Sequence, residues 1–590
     1  MLGGAFRIEG NELKRPIPPF PLRTYTLPAL FSEAVALNAA RVAMKTRRSA
    51  AGASISYEEF GRLVSHLGAG LIARGAAPGD RVGLLADNGP EWGIVYAAAT
   101  SIGATIVPLD TQLKGAEIRR FLLHSNAKFL FASPLFLDDA IADAAHSGLQ
   151  LIVIDNESRV PGAPTLNDLV AEGARLAGAA PGVFEERSRG VKPDDDAAIC
   201  YTSGTTGDPK GVVLSNRNLV SNVESCRRRV PFLETDTFLS LLPLYHTYAT
   251  TCNLLAPLST GAAIFFGRSL KSRDIREDIE REGVTIICGV PLLFEKMART
   301  IEKRIKERPA YERFLLGSTA PAIAALGRLT RRNAARALFR RKLAADGLAS
   351  LRFCISGAAG LKDDVDRTLS MIGIAVLQGY GMTEASPVIS VNPLGRARRG
   401  TIGPPLPGVE VRIEEPDDEG AGEILVKGPN VMAGYLDNPR ATAEVLRDGW
   451  LHTGDVGKLG PDGYLTFIGR RKSVIVTAGG KNVYADEIEM ALNGCWCILE
   501  SVVLPAKDRR GNEHVAAIVV PDHEAISASR EPAGNLTDEG VESLVTAEVR
   551  KICAELPEYK RIREVRIRNE ELPKTSTRKV KRHLVTWSGK

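Results

Sequence analysis

The sequence predicts an α/β protein with a large N-terminal domain and a smaller α+β C-terminal domain, and three observations carry that prediction. Continuous apolar runs rich in Val and Ile recur through the first two thirds of the chain. Each is followed by a Gly/Ser turn and a helical pattern, as expected of a mostly parallel sheet covered on both faces. From about Gly400 the runs give way to polar/apolar alternation with turn signals, the mark of antiparallel strands. After Arg470 a third composition begins, compact and mixed.

The apolar runs, in order, are RVGLLAD (81–87), AKFLFAS (127–133), LQLIVID (149–155), AAICYTS (197–203), AAIFFG (262–267), VTIICG (284–289) and LRFCISG (351–357). Asn156 to Asp196 is rich in Gly, Ala, Pro and charge and reads as a surface linker between two α/β subdomains. The alternating stretch 408–435 reads as a small β subdomain. The expected units are an extension (1–27), subdomains at about 28–195, 196–399 and 400–471, and a C-terminal domain (472–590), with the main boundary at Arg471–Lys472. Trp92 to Leu109 is eighteen residues without a charge, the minimum for a membrane span. Its Gly, Pro108 and β-branched end read instead as a buried helix followed by a buried strand. The N-terminus lacks the basic-then-apolar layout of a signal peptide.

The 590 residues are 44% hydrophobic and 25% charged, which excludes a disordered chain, a collagen and a coiled-coil rod. A net charge of +6 is too mild to imply a nucleic-acid partner. The basic character is local: Arg299–Lys342 holds thirteen Lys/Arg against three Glu. Within it TRRNAARALFRRK has helical spacing and reads either as a face for an anionic bilayer or as a solvated helix. The eight cysteines show no C-x-x-C and no zinc spacing, and read as reduced, buried thiols of a cytoplasmic protein.

The densest chemical signal is Tyr201-Thr-Ser-Gly-Thr-Thr-Gly-Asp-Pro-Lys-Gly211. A strand ends at Tyr201. Gly204 and Gly207 permit turns that aim backbone N–H groups inward, while Thr202, Ser203, Thr205, Thr206 and Lys210 add donors and charge. Such a nest suits a polyphosphate, although the spacing is not that of a P-loop. Gly68-Ala-Gly70-Leu-Ile-Ala73 fits a dinucleotide fingerprint but lies inside a helical pattern that precedes a strand, the wrong order for that role.

The run YTSGTTGDPKGV resembles the phosphate-loop signature of the ANL superfamily of adenylate-forming enzymes. GYGMTE (379–384), GWLHTGD (449–455), GRRKSVIVTAGGKNVYADEIE (469–489) and LPKTSTRKVKR (572–582) follow in the family's order. The resemblance, over about residues 28 to 585, is to bacterial long-chain fatty acyl-CoA synthetases in particular. It implies a mobile C-terminal domain, ATP and Mg²⁺, and coenzyme A as co-substrate.

It also implies roles. Tyr380 would stack on adenine against Gly357-Ala358-Ala359, Thr383 would meet the α-phosphate, and Glu384 would be the Mg²⁺ ligand. Asp455 and Arg470 would hold the ribose. Lys579 would serve adenylation, with Lys581 as the alternative because Arg578 stands where the family commonly has Gly. Gly479, Gly480 and Lys481 would line the pantetheine tunnel, Lys472 would be the hinge, and His246 the gate of the acyl pocket.

Leu241–Ala249 contains no acid to bind a substrate ammonium, and the apolar stretches Leu254–Leu258, Val290–Phe294 and Val388 suit a fatty or aromatic acid. The roughly sixty residues between Val290-Pro291 and Leu351 resemble the insertion of bacterial long-chain acyl-CoA synthetases, which implies a long chain. The alternatives are transfer to an acyl carrier protein, a medium-chain or aromatic acid, and a non-catalytic lipid-binding member.

Overall fold

The computed structural model describes residues 25–47, 53–137, 148–154, 160–202, 209–306, 347–476, 482–507, 513–529, 536–574 and 580–587. All seven apolar runs are strands, and they enter two large sheets. The seven-stranded sheet has the spatial order Gly434–Tyr435, Lys210–Ser215, Asp196–Thr202, Thr105–Pro108, Arg81–Leu85, Ala127–Ala132, Gln150–Val153. Its first two pairings are antiparallel and the remainder parallel. The eight-stranded sheet runs Val388–Val391, Ala375–Gly381, Phe353–Ser356, Ile286–Gly289, Thr237–Ser240, Ala263–Phe266, Val42–Thr46, Ala53–Ser56. It is parallel except for an antiparallel pair at each edge.

These sheets do not divide the chain at 195. Residues 42–56 belong to the second sheet and 196–215 to the first, so the chain visits each sheet twice. Gly434–Tyr435, expected in the β subdomain, instead extends the first sheet beside Lys210–Ser215.

The uncharged stretch becomes the helix Pro90–Ser101 and the strand Thr105–Pro108. Eleven of the helix's twelve residues are buried. A helix apolar all round needs a core on every side. Here Met44 of one sheet lies against Gly93, and Trp92 and Tyr96 stack at 5.4 Å. Among the described residues no helix is long and apolar enough to cross a membrane.

The expected linker at 156–196 is corrected by two helices, Leu166–Ala179 and Val183–Arg189. Thr165 and Asp168 form a reciprocal capping box that starts the first of them. The small residues read as loop formers are contact residues. A Cβ on Gly173 would lie 1.7 Å from the His66 carbonyl oxygen, and one on Gly70 would lie 2.2 Å from that of Leu169. Gly70 and Gly173 thus let the helices Tyr57–Ala73 and Leu166–Ala179 touch backbone to backbone, which also accounts for the misleading glycine fingerprint.

Residues 410–470 form an antiparallel sheet in which Trp450–Leu459 pairs with Gly422–Lys427 and Leu465–Arg470. After the short 3₁₀ turn Arg471–Ser473 come the hairpin Val474–Val476/Asn482–Tyr484 and the helix Ala485–Asn493. A three-stranded sheet follows, built from Ile498–Lys507, Glu513–Pro521 and Glu564–Ile567. Ile475, Val483, Ile488, Val503, Val519 and Val545 make its own apolar core.

The basic segment begins on the helix Pro291–Lys306, where Arg299 pairs with Asp522 of the C-terminal sheet at 2.8 Å. TRRNAARALFRRK lies outside the described residues.

Candidate active site

Of the residues expected at the nucleotide, Tyr380 and Arg470 both approach Asp455, and Glu384 and Lys210 flank one tyrosine ring. Asp455 sits in the strand Trp450–Leu459, one residue after Gly454, whose φ of +70° is a left-handed turn that glycine accepts without strain. Thr453 Oγ1 accepts the Asp455 N–H at 3.1 Å and fixes that turn. On the neighbouring strand Arg470 is the direct register partner of Asp455, and its Nε lies 3.6 Å from Asp455 Oδ1. Tyr380, at the end of the strand Ala375–Gly381, donates its phenolic O–H to Asp455 Oδ2 at 2.7 Å. Burial first, and then the Asp455 charge, push the Tyr380 phenol well above its usual range, so it remains a donor.

Gly357-Ala358-Ala359 follows the strand Phe353–Ser356. Gly357 is buried, and a Cβ there would come within 2.9 Å of the Tyr248 ring. Ala358 and Ala359 are exposed, and Ala358 has φ +72°, a left-handed conformation costly for a residue with a side chain.

Thr383 and Glu384 lie in the 3₁₀ turn Thr383–Ala385. Glu384 is buried, and its Oε1 accepts the Tyr435 O–H at 2.9 Å. Lys210 Nζ stands 4.8 Å from the centre of the same Tyr435 ring. Desolvation holds the Glu384 carboxyl above its ordinary range, against the Tyr435 hydrogen bond and the Lys210 charge, which both favour the carboxylate. A buried carboxylate in this setting offers the hard oxygen donors that Mg²⁺ takes.

Tyr435 was not predicted. Its role depends on the long-range pairing of Tyr435 with Val212, which no local pattern signals.

Thr202 and Lys210 are register partners that close the antiparallel hairpin carrying the phosphate loop. Ser203, Gly204, Thr205, Thr206 and Gly207 lie outside the described residues, as do Gly479, Gly480, Lys481 and Lys579.

Lys581 is described, and its N–H donates to the Pro573 carbonyl at 2.7 Å. Beside it Arg582 forms ion pairs with Glu489 and, at 3.2 Å, with Asp486. Asp486 in turn accepts the Arg470 N–H at 3.1 Å. Arg582 and Arg470 are therefore linked through the Asp486 carboxylate. His246 caps the short helix Thr247–Ala249, its carbonyl accepting the Thr250 N–H at 3.0 Å.

At the boundary, Arg471 reaches back to Glu423 at 2.7 Å, next to exposed Lys472. Glu414, Glu423 and His452 converge closely enough to ligate an ion. Glu423 already receives Arg471 and the Gly454 N–H, so it serves as an ionic anchor for the turn at 471.

The model of the family described as AMP-binding enzyme matches residues 31–436. Feruloyl-CoA synthase of Amycolatopsis sp is 32% identical over 479 residues, covering 80% of this chain and 84% of that protein. Long-chain-fatty-acid–CoA ligase FadD15 of Mycobacterium tuberculosis is 31% identical over 546 residues, 88% of each chain. Among solved structures, ATP-bound MatB from Rhodopseudomonas palustris superposes with a TM-score of 0.70 at 26% identity, over 95% of this chain and 98% of that one. With the family model spanning more than half its length, the chain belongs to the AMP-binding enzyme family of adenylate-forming acid–thiol ligases.

Proposed function

We propose that the protein joins a long-chain fatty acid to coenzyme A at the expense of ATP. The observation that carries this reading is the approach of Tyr380 and Arg470 to Asp455, together with the Glu384–Tyr435–Lys210 cluster. In the first step a carboxylate oxygen of the acid attacks the α-phosphorus and pyrophosphate leaves. In the second the thiol attacks the acyl carbonyl, and AMP leaves.

Tyr380 and Gly357–Ala359 hold the base, Asp455 accepts the ribose hydroxyls beside Arg470, and Thr383 meets the α-phosphate. Glu384 holds Mg²⁺, which offsets phosphate charge when bound. The 202–210 hairpin cradles the outer phosphates and Lys579 compensates charge in the transition state. Lys472 is the pivot that exchanges Lys579 for the Gly479–Lys481 loop, which receives the pantetheine arm. His246 gates the acid.

Supporting a fatty substrate are the acid-free stretch at 241–249, the insertion before Leu351, and the full-length similarity to a long-chain ligase. An aromatic acid is the second reading, favoured by the feruloyl-CoA synthase similarity and by the flat Tyr248 ring set against Gly357.

The test is pyrophosphate release over acids from acetate to oleate, with ferulate included, with and without coenzyme A. A maximum at the long acids supports the proposal. A maximum at ferulate selects the aromatic reading, and no release with any acid would favour a non-catalytic lipid-binding member. A carrier protein replacing coenzyme A as acceptor would move only the second step.

We further propose that residues 299–342 rest on anionic membrane. Binding to anionic liposomes should exceed binding to neutral ones and weaken with salt. Equal partitioning to both would leave the segment a solvated surface.

A further inference from the structure

The turn that joins the helix Ala485–Asn493 to the strand Ile498–Lys507 carries the sequence Cys495-Trp496-Cys497. The Ile498 N–H donates to the Cys495 carbonyl at 3.2 Å, so the chain bends tightly through the three residues. The two sulfurs lie 3.4 Å apart in hydrogen-bond contact. A bend of this kind brings α-carbons two residues apart to roughly 5.5 Å, within the range a disulfide spans. Closing the bond therefore needs side-chain rotation and little backbone movement.

The two thiols are unequal. Cys497 is 0% exposed and packs in the C-terminal core, whereas Cys495 reaches the surface beside Trp496, itself 46% exposed. The hydrogen bond from Cys497, and more weakly the charge of Lys362, lower the Cys495 thiol to about 7 against the opposing effects of burial and Glu548. A lowered thiol carries more thiolate at neutral pH than an unperturbed cysteine, and the thiolate is the nucleophile. The cysteines of the large domain contrast with it: burial pushes Cys200 up to about 11 and Cys354 to about 12.

We propose that Cys495 and Cys497 form an oxidation site at which a hydroperoxide converts the pair to an intrachain disulfide. The Cys495 thiolate attacks the outer oxygen of the hydroperoxide. The O–O bond breaks, and the departing alkoxide takes a proton and leaves as the alcohol, with Cys495 now a sulfenic acid. The Cys497 sulfur then attacks the Cys495 sulfur. The S–S bond forms, the S–O bond breaks, and the hydroxide leaves as water with the Cys497 proton. Two electrons pass from the two sulfurs to the peroxide. The exposed residue is thus the nucleophile and the buried one the resolving thiol.

The experiment treats the full chain with hydrogen peroxide, alkylates the remaining thiols, and maps the peptides by mass spectrometry. The 495–497 peptide should lose two hydrogens in a product reversed by dithiothreitol, and Cys495 labelling should fall to under about a tenth. Cys497→Ser should instead accumulate a dimedone adduct at Cys495, and Cys495→Ser should leave Cys497 in the thiol form. Oxidation that spares this peptide in the wild-type chain, or a Cys497→Ser protein without the adduct, would overturn the proposal. The wild-type mapping keeps the test decisive if either variant folds poorly.

Discussion

At the residue scale the site depends on what surrounds its one buried carboxylate. Glu384 is raised by desolvation while Tyr435 and Lys210 pull the other way. A metal binds the ionised form, so protons compete with Mg²⁺ over a higher pH range than at an ordinary glutamate. The Mg²⁺ concentration for half-maximal pyrophosphate release should therefore rise as pH falls through the raised value and level off above it. Tyr435→Phe removes a donor that favours the carboxylate, so the whole curve should move to higher pH. About a tenfold increase in required Mg²⁺ at neutral pH is expected for losing a hydrogen bond to a charged group. A curve unchanged by the substitution would remove Tyr435 from the site.

At the scale of elements, glycines do two jobs that the sequence does not distinguish. Gly454 turns the chain so that Asp455 meets Tyr380, whereas Gly173 only lets two helices touch. Gly173→Ala places a methyl 1.7 Å from a backbone oxygen, so the helices must part. The expected loss is about 1–3 kcal/mol, read as a lower denaturant midpoint, with ATP affinity retained in the folded protein. A midpoint within error of wild type would mean the contact is slack.

The proposed pivot at Lys472 is likewise tested at the scale of elements. Lys472→Pro fixes φ near −65° in the turn Arg471–Ser473 and removes a donor. Acyl-adenylate formation should persist while thioester formation falls, since only the second step needs the domain to rotate. Equal loss of both steps would indicate misfolding, and no loss in either would place the pivot elsewhere.

At the scale of the whole molecule, the seven apolar strands were legible because continuous Val/Ile runs have few other solutions. The motif residues were legible because each is a dense local pattern. What stayed hidden is long-range: the return of residues 42–56 to the second sheet, the pairing of Tyr435 with Val212, and the Arg582–Asp486–Arg470 chain. The helices at 166–189 were hidden because Gly and Ala look like loop composition until their packing partner is known.

The central claim is that adenylation precedes and is separable from thiol transfer, with Lys579 acting only in the first step. The direct measurement is incorporation of labelled pyrophosphate into ATP, driven by the carboxylic acid in the absence of coenzyme A, in wild-type and Lys579→Ala protein. The account predicts acid-dependent exchange in the wild type and a loss of about two to three orders of magnitude in the variant, with thioester formation from supplied acyl-adenylate largely intact. Exchange that required coenzyme A, or normal exchange by the variant, would contradict it.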